Sequence, residues 1–286
     1  MVMSRAALIV AVLGSALGST TAFSTAEPRV PAGRDPGGVA VALVGLGADY
    51  TRPEIARKLA RDGEGELIGW DLADNDNRPY PDGISDAYAL TLAEVGIRAR
   101  IVPVKIAPRS PEPMLSAIGF ARRTPARIVL LSEAQPGRAD WDRICKAAAL
   151  TPHMLFVVPA SASEIDHDQG LPSGAADAPA NLIVVASAAQ FWIDSGWGAK
   201  TVDVAVRVLP GTGPGEERGL RWVKGSFLAS VYASAIGAAM LDKEPQLSGA
   251  DLKARIVALA KPAEDALKRA TRHGVIEAPH LLVGAP

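Results

Sequence analysis

From residue 39 onward the chain alternates between short, largely apolar runs and longer stretches where apolar residues recur every three or four positions. The runs cover residues 39–44, 101–106, 127–131, 154–158, 182–186 and 202–206. A run of this length that is apolar apart from single charged residues, without regular polar alternation, is the pattern of a strand buried on both faces. Helical periodicity fills 53–61, 85–95, 111–122 and 138–150, and two more helices are expected at 225–242 and 248–259. This alternation predicts a mostly parallel central sheet covered by helices on both sides, a three-layer α/β/α domain. Ser248 fits a helix N-cap with Asp251 at N3. No internal repeat and no later composition break appears, so residues 39–286 are expected to form a single domain. Residues 27–38 are rich in Pro and Gly and form a flexible lead-in, and 211–219 is a turn-rich surface loop.

The N-terminus has a different character. Residues 6–17 are an apolar run behind one positive charge, Arg5, and small residues follow. The run is too short to cross a ~30 Å hydrocarbon core as a stable helix, and its flanks are those of an export signal. Ser24, Thr25 and Ala26 fit a cleavage site before Glu27, with Thr20, Thr21 and Ala22 as an alternative. An uncleaved membrane anchor is the competing reading. The expectation is a signal peptide over 1–26 and a periplasmic or extracellular mature chain. No later run reaches ~18 apolar residues, so no further membrane span is expected.

Composition narrows the function. The chain has 286 residues, 30 basic and 31 acidic side chains and a formal charge of −1. That balance excludes a large electrostatic grip on nucleic acid. A hydrophobic fraction of 48% excludes a disordered chain. At this size a domain buries about 70–75% of its unfolded surface, enough for a core without disulfides. The single cysteine, Cys145, allows no intramolecular disulfide. It lies in a helical stretch with no histidine beside it, which marks a structural thiol rather than a nucleophile.

Gly45 and Gly47 follow the first strand, and Asp71 ends a later apolar stretch, which imitates a dinucleotide-binding fingerprint. The third glycine, however, is Tyr50, where close helix–strand packing needs no side chain. Thr51 to Pro53 also inserts a turn that moves the helix N-terminus away from the glycines.

A second reading accounts for nearly the whole chain. Residues 41–55 (VALVGLGADYTRPEI) are similar to a first catalytic strand and the turn after it. Residues 68–83 (IGWDLADNDNRPYPDG) match a Gly-Trp-Asp string followed by an Asp/Asn-rich loop. Residues 125–136, 155–161 and 181–188 supply three further strands in order, 195–210 (SGWGAKTVDVAVRVLP) a fourth, 225–240 (GSFLASVYASAIGAAM) a nucleophile helix and 273–278 its usual sequel. In order and spacing the chain from about residue 39 to 283 resembles the subtilisin-like serine proteases.

The resemblance implies a Ser-His-Asp site, but the matching positions do not carry it. Gly45 stands for the acid, Ile84 for the base, Phe227 for the nucleophile and Ser161 for the oxyanion-hole Asn. No histidine occurs before His153; the others are His167, His273 and His280. A triad needs a base within reach of the nucleophile, and in subtilisin itself loss of the serine or the histidine alone removes roughly 10⁶ in turnover. The groove floor would be Ser132, Glu133, Ala134 and Gln135, where Ala134 and Gln135 replace glycines that let a peptide backbone approach. The expectation is therefore an exported, proteolytically inert binding, scaffold or regulatory protein. It would be a monomer, without metal or cofactor, acting on a protein or peptide partner that the sequence does not identify. The competing readings are a serine hydrolase using other residues, such as Lys224 with Ser226, and a nucleotide-binding protein. Asp71, Asp74, Asp76, Asp82 and Asp86 lack the spacing of an EF-hand and read as a solvated loop. Ser161, Ser163, Glu164, Asp166 and Asp168, flanked by His153 and His167, read as an exposed polar loop, with a weak metal site as the alternative.

Overall fold

The computed structural model describes residues 27–81, 87–107, 111–132, 138–161, 163–170, 178–188, 195–207, 225–264 and 267–277. The strands are β1 (Val39–Gly45), β2 (Trp70–Asp71), β3 (Ala99–Lys105), β4 (Ala126–Leu131), β5 (Leu155–Pro159), β6 (Leu182–Ala188), β7 (Val204–Arg207) and β8 (Val275–Glu277). They form one sheet in the order β2-β3-β1-β4-β5-β6-β7-β8. Every neighbouring pair is parallel. The strands are apolar throughout because both faces are covered. On one face Val41, Leu43, Ile101, Ile128, Leu130 and Val157 pack with α2 (Ala87–Val95), α6 (Ser226–Lys243) and α7 (Gly249–Ala258). On the other, Ala42, Val44, Val102, Val129, Leu131 and Phe156 pack with α3 (Pro111–Ala121) and α4 (Arg138–Ala149). The three-layer α/β/α sandwich expected from the pattern is the observed architecture.

Two helices are short, α1 (Pro53–Ala56) and α5 (His167–Gly170). The first falls short of the expected 53–61 because the chain turns into the sheet. The Ala60 N–H donates to the Ile101 carbonyl (2.8 Å) and the Ile101 N–H to that of Lys58 (2.6 Å), so residues 58–60 lie beside β3. The helix expected at 248–259 is α7, opened by the predicted cap. The Ser248 side chain accepts from the Asp251 N–H while the Asp251 carboxylate accepts from the Ser248 N–H, a full capping box.

The central helix α6 is buried almost all round and packs across β1 and β4 to β7. Two of its buried hydroxyls are satisfied within the helix. Ser230 Oγ donates to the Ser226 carbonyl (2.7 Å) and Ser234 Oγ to that of Ser230 (2.9 Å), the i−4 back-bond open to serine in helices. These serines are packing residues, as the Ala-rich sequence around them predicts.

The lead-in contains no helix or strand, yet it is fastened along its length. Tyr50 Oη donates to the Pro28 carbonyl (2.8 Å) and Arg61 Nη2 to that of Pro31 (2.6 Å). The Asp35 carboxylate accepts from the Arg61 N–H (2.8 Å) and from Arg100 Nη1 (2.5 Å). Those bonds hold the Asp35 carboxyl below its ordinary range against the opposing cost of burial. Residues 211–219, Lys224 and the expected signal segment lie outside the described residues. Among the described residues no helix is long and apolar enough to cross a membrane.

Candidate functional site at the carboxyl edge of the sheet

In an open parallel sheet, ligands bind beyond the carboxyl ends of the strands where the strand order reverses. Here the reversal falls at β1, which has β3 on one side and β4 on the other. The residues that close these strands meet there. Gly45 ends β1 in register with Lys105 of β3, and Trp70 and Asp71 of β2 pair with Val104 and Lys105. Ser132 follows β4, Ser161 follows β5, and Phe227 lies in the first turn of α6.

The position expected for the acid, Gly45, is a buried strand end without a side chain. The nearest downstream carboxylate, Asp49, is held in its own turn, accepting from the Thr51 N–H (3.0 Å) and the Thr51 hydroxyl. Gly47 has a φ of +94°, and an added Cβ there would meet the Pro79 carbonyl oxygen at 2.6 Å. The next N–H, of Ala48, donates to that same carbonyl (2.9 Å). The tempting glycines therefore serve loop packing. Tyr50 is fully buried and meets the Tyr80 ring edge-on at a centroid distance of 5.2 Å.

The nucleophile position is filled by an aromatic ring. Phe227 is 6% exposed and packs on Tyr88 of α2, with ring centroids 5.9 Å apart. Ile84, read from the sequence as the base position, lies outside the described residues. Tyr88, in the first turn of α2, is the residue that reaches Phe227, and the sequence reading missed it. The signal available was an aromatic ring in the first turn of an otherwise Ala- and Leu-rich helix.

The structure brings Ser161 and the start of α6 together. Ser226 Oγ donates to the Ser161 carbonyl (2.6 Å) and accepts from the Ser161 N–H (3.1 Å). Ser161 Oγ accepts from the Ser163 N–H (3.0 Å). Ser226 is fully buried, and its hydroxyl is committed to backbone. Ser132 is 1% exposed, and both its N–H (2.9 Å) and its Oγ (3.0 Å) donate to the Val44 carbonyl. It is locked to β1 rather than turned to a groove. Glu133, Ala134 and Gln135 lie outside the described residues.

A downstream histidine does fold back to this edge. His167 is 9% exposed, and its Nε2 is buried without a hydrogen-bond partner. It lies against Gly196, where an added Cβ would come within 2.4 Å of Nε2 and 3.0 Å of the Ala160 carbonyl oxygen. Burial holds its pKa below the ordinary histidine value, outweighing the Ala160 backbone contact and the charges of Asp166 and Asp168. Among the described residues it makes no hydrogen bond to a serine, and the hydrogen bonds of Ser161 and Ser226 lead to other groups. Residues 163–165 of the expected polar loop are exposed, but His167 after them is buried, because Gly196 leaves room for the ring.

The acidic string also departs from the solvated loop expected of it. Asp71 is fully buried and lies 2.9 Å from the Lys105 ammonium, itself 3% exposed. Lys105 is also 3.3 Å from Glu27 and 3.5 Å from Asp74. Carboxylate oxygens of Glu27, Asp71 and Asp76 lie within 4.8 Å of one another. The lysine already supplies a cation to that cluster, and Arg78 pairs with Asp76 at 2.9 Å. Burial raises the Glu27 pKa, with Lys105 opposing the shift.

No family model matches the sequence, and no curated protein matches it. Solved structures do. A cold-adapted subtilisin-like serine proteinase superposes with a TM-score of 0.65 at 17% identity, covering 87% of this chain and 91% of its own. The A-subunit of the AB5 toxin from E. coli gives 0.64 at 16% identity, covering 87% and 93%. A structure describing the assembly of the subtilase cytotoxin SubAB gives 0.64 at 18%, covering 86% and 89%. The protein has a subtilisin-like fold. At the carboxyl edge of its sheet the structure places Gly45, Ser161 and Phe227, all three buried.

Proposed function

We propose that this chain is an exported, proteolytically inert protein on a subtilisin-like scaffold that acts by binding. The observation that carries the reading is Phe227, buried against Tyr88 at the head of the central helix. A ring there occupies the space a substrate carbonyl would need, and it provides no hydroxyl or thiol to attack one. Gly45 supplies no carboxylate to orient a base, and the hydroxyls of Ser226 and Ser132 are tied to backbone carbonyls. Without nucleophile and base, residual hydrolysis would be that of a bare binding site, orders of magnitude below a working triad. What remains is a complete α/β/α sandwich whose role is to bind a protein or peptide partner. That two of the similar structures are toxin components, one described in its assembly, supports a role for this fold within a complex.

The test is direct. The purified protein is incubated with casein and with a fluorophosphonate probe, beside an active subtilisin. The expected result is no turnover above buffer and no labelled serine. Labelling of Ser226, or of any other serine, would establish the competing reading of a serine hydrolase with an unfamiliar constellation.

A further inference from the structure

The lead-in is held to the body in the manner of a peptide ligand. Among the described residues, 27–36 make no main-chain to main-chain hydrogen bond with the body. The body grips the segment by two carbonyls and a carboxylate instead. Tyr50 Oη donates to the Pro28 carbonyl and Arg61 Nη2 to that of Pro31, while Asp35 Oδ2 accepts from the Arg61 N–H and from Arg100 Nη1. Val30 packs on the core, and Glu27 reaches Lys105 at 3.3 Å. Arg61 is 5% exposed, and its guanidinium donates to carbonyls, those of Pro31 and of Gly65 (2.8 Å). Gly33 lies across that guanidinium, where an added Cβ would meet Arg61 Nε at 2.8 Å. Two cations, Arg61 and Arg100, thus lie under a segment that brings one carboxylate to them.

Such a hold can be released while the sheet stays folded. Residues 29, 32–34 and 36–38 are exposed, and segments with few buried apolar contacts open at a free energy below that of global unfolding. The segment joins β1 through Gly37 and Gly38, with φ of +71° and +84°. At Gly37 nothing lies within 4 Å of the place a Cβ would take, so the joint is free to turn there. Opening uncovers a surface already shaped for an extended chain. A tyrosine hydroxyl and an arginine fork are spaced for the carbonyls of two prolines three residues apart, and a second arginine waits for a carboxylate four residues further on. Proline suits the first two places because it offers a carbonyl and has no N–H to satisfy. We propose that Tyr50, Arg61 and Arg100 form a docking cradle for an extended, proline-containing acidic segment of a partner protein, and that the lead-in is its resident internal occupant. A partner gains the cradle by displacing the lead-in, so the site is closed at rest. The proposal rests on the reading of the chain as a binding protein and says where the partner is held.

The experiment titrates a fluorescent peptide with the sequence of residues 27–38 against the full chain and follows binding by anisotropy. A tethered segment competes at an effective concentration of about millimolar, so the wild type is expected to bind the peptide weakly. Asp35→Asn in the chain loosens the resident segment and should tighten peptide binding at least ten-fold. Val30→Ser removes the segment's apolar contact without touching a charge, and it should act in the same direction even where Asp35→Asn fails to fold. The same peptide with Asn in place of its Asp should bind the loosened chains at least ten-fold more weakly, and adding Arg100→Gln to the chain should shrink that difference several-fold. A peptide that binds neither variant, that binds wild type and variants alike, or that binds no better with Asp than with Asn would overturn the proposal. Concentration-dependent dimers of the wild-type chain in analytical ultracentrifugation, lost in Asp35→Asn, would give the cradle to a second copy and overturn the assignment to a partner. Casein turnover by the same preparation would defeat the inert reading alone, and the peptide affinities would still decide the cradle.

Discussion

Replacing Lys105 by methionine isolates the ion pair that anchors the sheet's carboxyl edge. Asp71 has no solvent exposure, and its Oδ1 accepts the N–H groups of Ala73 (2.7 Å) and Asp74 (3.1 Å). Its other oxygen lies 2.9 Å from the lysine nitrogen. Methionine fills much of the aliphatic stem's volume but leaves a buried carboxylate with no adjacent cation. Breaking one partner out of a buried pair costs about 3–5 kcal/mol, roughly 10²–10⁴-fold in the folding equilibrium. Lys105→Met is therefore expected to unfold at markedly lower urea, read by far-UV circular dichroism, with an unchanged slope of the transition. Asp71→Asn keeps an acceptor for the two N–H groups and removes the charge. The double variant should recover more than half of the single-lysine loss, since two neutral groups then face each other. A cost below about 1 kcal/mol for Lys105→Met, or a double variant as unstable as the two singles summed, would refute the reasoning.

Three other outcomes are expected. Phe227→Ser restores a hydroxyl at the head of α6 but should yield no casein turnover and no fluorophosphonate labelling, while loss of the buried ring lowers stability by about 3–5 kcal/mol, checked by urea titration. Burial holds His167 below its ordinary pKa, so the native state favours the neutral ring. Its contribution to stability is complete above about pH 6.5 and is lost as the pH falls through the native value. His273 shifts in the same direction, also through burial, so His167→Gln should reduce, not abolish, the loss of stability between pH 7 and 5; an unchanged pH slope would contradict the assignment. Ser248→Ala removes the capping box of α7 and should cost about 0.5–2 kcal/mol, read as a lowered thermal midpoint.

The layers were legible because strands buried on both faces admit few polar residues, and β1, β3, β5 and β6 are nearly continuous apolar runs. The cap at Ser248 was legible because its partner lies three residues away. Contacts made through tertiary register were not. Asp71 and Lys105 meet only because β2 and β3 pair at their last residues, and the loop after Asp71 is so acidic that it reads as solvated. His167 sits among Glu164, Asp166 and Asp168, a local composition that suggests exposure. Its burial depends on Gly196, which is distant in sequence. Tyr88 escaped because the apolar periodicity of 85–95 does not fix which residue of its first turn faces α6. Strand β8 is three residues long, too short for a pattern to register.

The brevity of β2 carries a consequence for behaviour in solution. A sheet margin is a template, and a second molecule that docks a strand against it can seed fibrils or swapped dimers. Here the margin beside β3 offers only Trp70 and Asp71 before the chain turns away. Asp71 already spends its N–H on the Asp76 carbonyl (2.8 Å). An incoming strand would find almost no rungs to climb, so an otherwise open all-parallel sheet is guarded on that flank by being cut short.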